Sequence, residues 1–473
     1  MTPPISERDP ALARIVAAAL LLRLLLALLT HHFVPVLDES AYLVTAQRWL
    51  AEGRYASTFR PPLYPFLIMA SLWAGLGTLG VQLLQAVLGA VTVVPVYRIA
   101  DRNYGRRAAQ IAALLVAFNP ILLAFATRLW SETLFIALLM FALDWITRAP
   151  AMRHWVLAGL ALGLASLTRP MIVTFLPLLG AWVLWQAWRE GTGWGPWITR
   201  FAVLAACCFA VILPWSVRNL RATGSFVLID SNGAFNFMVG TQPEAAFVNK
   251  DDTWMEIYGA VDGEEYKDAT ERDPARAQRL AMAAARENIA KAPLLFVRKS
   301  LWEAGHLWTS DSFLLRHLRN GWFGEPRRLV VAPLTLLSVG FYLVLVAAGL
   351  AGLATAPPSP WRALALLLML HTTALFGLTY ALSRYVLPLH AVLAISAGAA
   401  LAALRPTVAA LTSAATPVAR RTGFWAATAT LLVIWLLDVP RQADMVLHAG
   451  AGHPYHYVSA GGNSSRTSEG NVP

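Results

Sequence analysis

Charge is what this sequence has least of. Asp, Glu, Lys and Arg together make up 14% of its 473 residues, against about 25% in a soluble globular chain. Hydrophobic residues make up 57%, and the mean hydropathy is +0.54. This balance excludes a disordered chain, which is poor in apolar residues, and a soluble α/β enzyme. No internal repeat is present, direct or inverted, which excludes a repeat array or collagen. Cysteine is confined to the adjacent pair Cys207–Cys208 inside AVLAACCFAVIL. Such neighbours offer neither a disulfide framework nor metal or redox spacing, and read as small core residues. Lysine is nearly absent, with four (Lys250, Lys267, Lys291, Lys299) among 38 basic residues.

What the sequence has is length of apolar run. Stretches of about 15 to 22 residues recur, the size that crosses a bilayer as a helix. Candidate spans cover 11–30, 80–97, 108–127, 133–147, 155–167, 171–188, 200–216, 328–352, 362–381, 386–404 and 423–438. The expectation is an all-α polytopic membrane protein of about 11 transmembrane helices. The two halves flanking Thr168–Arg169–Pro170 each barely span. The first run continues into HHFVPVLDES without a small-residue cleavage site, so it reads as a retained helix rather than a removed signal.

Alternate short loops differ in arginine. One side receives Arg98, Arg102, Arg106, Arg107, Arg148, Arg153, Arg189, Arg362, Arg405, Arg420 and Arg421; the other receives Arg128, Arg169 and Arg384. The positive-inside rule assigns the first side to the cytoplasm. It also accounts for the net charge of +11 without invoking nucleic acid. The chain divides into a transmembrane bundle over 1–220, a polar extracytoplasmic segment over 221–327, further transmembrane helices over 328–448, and a Gly/Ser/Asn-rich tail over 449–473 that reads as disordered. The polar segment holds all four lysines and 15 of the 27 acidic residues, and reads as a small mixed subdomain.

Few acids remain elsewhere. Asp144 lies four residues before Arg148, an ordinary i,i+4 pair. Asp38, Glu39 and Glu132 fall at the external membrane surface, where an acid is costly unless paired or used. Asp38 also suits a helix N-cap, and Glu132 a helix N-terminus favoured by the dipole. Pro61–Pro62 forbids a regular helix after Arg60 and presents that arginine near the surface. Arg128, Arg169, Arg218 and Arg384 are lone external arginines. Each alone fits interfacial snorkelling; together they suit an anionic headgroup, which arginine binds bidentately. Arg23 lies mid-span and needs a partner inside the bundle. His31–His32 with Asp38 is the one arrangement that a divalent metal could use, and it is not convincing. No cofactor is assigned.

An acidic pair after the first span, then FRPPLYPF, YGRRAAQIAALLVAFNP, WSETLF, LTRP, PWSVRNLRATGSFVLIDSNGAFNFMVG and a late SRYVLPL follow in that order. This ordered set resembles the bacterial membrane glycosyltransferases of the GT-C fold, whose relatives include protein O-mannosyltransferases and the lipid A aminoarabinose transferase. The likeness covers about residues 11–405. It implies a polyprenyl-phosphate sugar donor, an active site on the extracytoplasmic face of a bacterial inner membrane, and a glycolipid, cell-envelope glycan or protein acceptor. By this resemblance Asp38 is the base, Glu39 its acidic neighbour and Glu132 the second catalytic acid. Arg60 and Arg384 bind the lipid phosphate, with Tyr64, Arg128, Arg218 and Tyr385 in the same donor-binding set. No carbohydrate-binding domain is appended, a departure from the eukaryotic protein O-mannosyltransferases.

The chemistry stands without the family. A hydroxyl attacking a sugar carbon that bears a phosphodiester needs a carboxylate to take its proton, and the departing phosphate needs cations. Backside attack inverts the anomeric centre. The competing readings are a transporter or flippase of a lipid-linked or anionic substrate, which would carry inverted repeats and midplane ionisable residues, and a polymerase or ligase using a lipid-diphosphate donor.

Overall fold

The structure is a computed structural model, and it describes residues 9–36, 38–55, 58–148, 151–243, 246–247, 273–310, 314, 318, 328–413 and 417–447. Among these the regular elements are all helical. The first half runs α1 (Pro10–Thr30), α2 (Asp38–Glu52), α3 (Leu63–Trp73), α4 (Gly77–Val91), α5 (Val93–Tyr104), α6 (Arg106–Ala117), α7 (Pro120–Ala126), α8 (Glu132–Ile146) and α9 (Met152–Thr168). A 3-10 turn, Pro170–Phe175, leads to α10 (Leu176–Glu190) and α11 (Gly195–Thr223). The polar segment supplies α12 (Asn232–Thr241), α13 (Pro274–Lys291) and α14 (Pro293–His306). The chain returns through α15 (Arg328–Thr355), α16 (Pro360–Leu378), a 3-10 turn Ser383–Val386, α17 (Leu387–Ala402), α18 (Leu404–Thr412) and α19 (Val418–Leu447).

The protein is a polytopic membrane protein. Eight helices among the described residues are long and apolar enough to cross a bilayer, and nine if α6 and α7 count as one broken span. The expected spans at 133–147 and 155–167 are also helices, but α8 has 15 residues and α9 has 17. At 1.5 Å per residue these fall short of a 30 Å hydrocarbon layer. The described part of the polar segment is helical rather than mixed; residues 248–272 and the tail from 448 lie outside the described residues.

Local chemistry sets the breaks. Between α6 and α7 the axis turns by 51°, where Pro120 opens a new helix and the Asn119 side chain accepts the amides of Ile121 and Leu122 at 3.0 and 3.1 Å. The carbonyls freed at the end of α6 find Arg23, whose guanidinium donates to Ala117 at 2.9 Å and Val116 at 3.2 Å. That supplies the mid-span arginine with its partner: a helix C-terminus, where cations are stabilised.

Burial locates the core. The span Ser383–Ala402 is 78% buried inside the protein, whereas Val418–Pro440 is 11% buried, so α17 is the axis of the bundle and α19 lies at its rim. Small residues permit the axial contact: Gly352 of α15 lies against the backbone of Ser396, leaving no room for a Cβ.

Asp144 and Asp9 gather the arginines at one end of the bundle. Asp144 meets Arg102 at 2.7 Å, Arg148 at 3.1 Å and Arg98 at 3.9 Å, more than the single i,i+4 pair expected. Asp9 meets Arg106 and the Tyr97 hydroxyl, both at 2.5 Å. Glu132 begins the same helix that Asp144 nearly ends. Twelve residues of helix separate them by about 18 Å, placing the two acidic clusters at opposite ends.

Candidate functional site

Asp38 and Glu39 open α2. Adjacent helical side chains diverge by about 100°, so the two acids meet different arginines. Asp38 accepts from Arg60 Nη2 at 2.8 Å on one carboxylate oxygen and from Arg384 Nη2 at 2.6 Å on the other. Each guanidinium lies over an aromatic face: Arg60 over Tyr42 at 4.8 Å, Arg384 over Trp130 at 4.7 Å. A guanidinium held over a ring by its central carbon still has its N–H donors to offer an anion.

The sequence positions both arginines. Pro61 and Pro62 stop helix formation before α3, and the Tyr55 hydroxyl donates to the Arg60 carbonyl at 2.9 Å, fixing that turn. Arg384 sits in the 3-10 turn that precedes α17. The Asp38 side chain keeps 26% of its exposure, so it is open to a ligand. Burial pushes its carboxyl upward, but Arg60 and Arg384 together outweigh that and hold it well below the usual carboxylate range.

A second pair adjoins the first. Glu132 is buried at the N-terminus of α8 and forms an ion pair with Arg169, at the end of α9. Arg169 and Arg384 lie over the same Tyr385 ring, each at 5.6 Å. That ring is stacked on Phe376 at 4.2 Å. Asp38, Arg60, Glu132, Arg384 and Tyr385 thus share one region, and Arg169, read from sequence only as a lone arginine, joins them as the partner of Glu132.

Other expected site residues are placed differently. Glu39 and Arg128 turn on each other, with 1% and 3% side-chain exposure. Arg128 donates to both Glu39 oxygens, at 2.8 and 2.5 Å, and the amides of Leu129 and Val36 each add a bond at 2.9 Å. A carboxylate with four donors and no solvent is not available to a hydroxyl, which argues against a transfer role for Glu39 and a donor-binding role for Arg128. Tyr64 likewise points inward. Its hydroxyl donates to Gln85 at 2.6 Å, and Gln85 in turn donates to the carbonyls of Ala126 and Arg128. Arg218 stacks between Tyr55 at 5.5 Å and Trp215 at 4.8 Å and donates to Asn219 at 3.0 Å. It borders the Arg60 turn through Tyr55 rather than reaching Asp38.

Asp230 was left among the acids of the polar segment by sequence reasoning. It precedes α12, and burial is the main cause that raises its pKa to about 7, opposed by the nearby amides of Gly233 and Asn232 and by the charge of Arg60. The D-S-N-G run is the signal that was available, as it is typical of a helix start. The backbone fixes its place, since Ser231 donates to the Thr58 carbonyl at 2.8 Å. His31 bonds the Leu28 carbonyl at 2.8 Å, and among the described residues no group of three or more His, Cys, Asp or Glu side chains could hold a metal ion.

Comparison with known proteins adds a family likeness. Residues 59–215 match the family model described as dolichyl-phosphate-mannose-protein mannosyltransferase. The undecaprenyl phosphate-alpha-4-amino-4-deoxy-L-arabinose arabinosyl transferase of Pseudomonas aeruginosa (strain UCBPP-PA14) is 29% identical over 210 residues, 40% of this chain and 37% of that protein. The chain thus matches little more than a third of that relative's length. Among solved structures, ArnT from Cupriavidus metallidurans bound to undecaprenyl phosphate aligns over 84% of this chain and 78% of its own, with 16% identity and a TM-score of 0.38. The Archaeoglobus fulgidus oligosaccharyltransferase aligns over 93% and 52%, with 16% identity and a TM-score of 0.46. The stretch matched by the family model carries Arg60, Arg128, Glu132 and Arg169 but neither Asp38 nor Arg384.

Proposed function

We propose that the protein is an inverting glycosyltransferase that moves a pentose or hexose from a polyprenyl phosphate to a hydroxyl of a glycolipid, envelope glycan or protein, at the extracytoplasmic face of a bacterial inner membrane. The observation that carries this reading is the Asp38 carboxylate gripped by two aromatic-stacked arginines in a membrane protein. Arg60 and Arg384 form an anion site, and Asp38 occupies it at rest. A donor phosphodiester carries the same single negative charge but has two free oxygens, one for each guanidinium, and competes for both. As the phosphate takes them, Asp38 loses the two cations that hold its basicity down, and becomes a better proton acceptor.

The transfer then balances. The acceptor oxygen bonds to the anomeric carbon and its proton goes to Asp38. The bond from that carbon to the phosphate oxygen breaks, and the electron pair leaves with the lipid phosphate. Charge grows on that phosphate in a poorly hydrated place, where two fixed guanidiniums stabilise it most. Glu132 and Arg169, joined to this site through Tyr385, orient the sugar or acceptor. Glu39 with Arg128 and Tyr64 with Gln85 brace the turn beneath. The arginines around Asp144 and Asp9 support a cytoplasmic assignment for the other end. A transporter gains no comparable support, because these acids cluster at helix N-termini rather than at mid-span.

The test is donor turnover by the purified chain, supplied with polyprenyl-phosphate sugars and total glycolipid. Wild-type protein is expected to release polyprenyl phosphate, with Asp38→Asn folded but silent. Full activity in a folded Asp38→Asn, Glu132→Gln double variant would overturn the assignment.

A further inference from the structure

Two charged side chains are buried on α14 away from every group used above. Lys299 is 2% exposed and Glu303 is 0% exposed, one helical turn apart and therefore on one face. Burying two such groups costs several kcal/mol per ion, and apolar residues of similar volume commonly pack as well or better. Packing alone therefore gives little reason for them.

Both act on a single stretch of backbone. The Lys299 ammonium donates to the Leu378 carbonyl at 3.2 Å and to that of Thr379, capping the C-terminus of α16, where carbonyls lack helical partners. Glu303 accepts the Ala381 amide at 2.8 Å. The same stretch also meets α12. Gly240 lies against the Thr379 backbone, with no room for a Cβ, and the Tyr380 hydroxyl donates to Asn236 at 3.1 Å. Three residues beyond Ala381 comes Arg384, bound to Asp38.

We propose that Lys299 and Glu303 are positioning residues that fix the backbone from Leu378 to Ala381 and thereby aim Arg384 at the donor phosphate. The polar segment thus serves the donor site through its helices α12 and α14. This inference rests on the donor reading of Arg384 given above. A displacement of that turn by an ångström would separate the two guanidiniums and spoil their joint hold on one phosphate.

The experiment is a double-mutant cycle on the full chain, read as binding of undecaprenyl phosphate in detergent. Glu303→Leu removes the acceptor for the Ala381 amide and is expected to weaken binding about tenfold. Glu303→Gln keeps an acceptor oxygen and restores most of it. On an Arg384→Ala background, Glu303→Leu is expected to add nothing further, because both changes act through one group. Lys299→Met follows the same pattern and serves should Glu303→Leu not fold. If Glu303→Leu weakens binding equally with and without Arg384, or leaves it unchanged in folded protein, the positioning role is overturned. If Arg384→Ala alone leaves binding intact, the donor reading falls first, and this inference with it.

Discussion

The two ends of the bundle solve the same electrostatic problem differently. At one end Asp144, with no side-chain exposure, is surrounded by Arg98, Arg102 and Arg148. No described guanidinium there is seated on an aromatic face with its acid left open, and the cluster is a lock. At the other end Asp38 keeps a quarter of its side-chain exposure, and both its arginines are stacked on aromatic rings. Within that same end, Glu39 with Arg128 repeats the closed pattern a single residue away. The contrast teaches that ion pairing in this fold is not itself a sign of function. A pair that can exchange its anion is.

The sharpest way to break the comparison is kinetic. Asp38→Asn is expected to cost about a thousandfold in transfer rate, within the usual range for a proton acceptor, whereas Asp144→Asn leaves the turnover of folded enzyme near wild type. Steady-state rates normalised to folded protein check both, and an equal loss from the two would erase the distinction.

Stability should rank the other way. Arg128→Met leaves Glu39 buried and unpaired and is expected to cost about 3–5 kcal/mol, seen as a lowered midpoint of thermal unfolding. Asp38→Asn should lower that midpoint far less, because its arginines remain within reach of water.

The smallest expected effect concerns Asp230. Its folded pKa, about 7, lies above its ordinary value of 3.8, so the folded chain holds a proton that the unfolded chain has released. Its contribution therefore favours folding at low pH and declines as pH rises from about 4 to about 7. Asp230→Asn should flatten that part of the stability profile; an unchanged slope would place the titration elsewhere.

Much of this was legible in the sequence, and what was missed has a common cause. Apolar run length revealed the helices, and the shortness of α9 before Thr168–Pro170 was visible, whereas that of α8 was not. Pro61–Pro62 correctly set Arg60 at a turn. Pairing was not legible. Asp38 meets Arg384 across 346 positions of sequence, and nothing local distinguishes that acid from Glu39, whose arginine is sealed. Glu132 was visible as an external acid and Arg169 as an external arginine, but their partnership depends on how α8 packs against α9. Lys299 and Glu303 looked like ordinary members of a polar segment, since burial of a charged residue leaves no trace in periodicity.

The central claim is that Arg60 and Arg384 form an anion site that Asp38 fills until a lipid phosphate displaces it. The most direct test is the affinity of Asp38→Asn for undecaprenyl phosphate, measured beside wild type and Arg60→Ala. Removal of the internal competitor should tighten binding several-fold in the variant that cannot catalyse, while Arg60→Ala weakens it about tenfold. Weaker binding by Asp38→Asn than by wild type, in folded protein, would contradict the account.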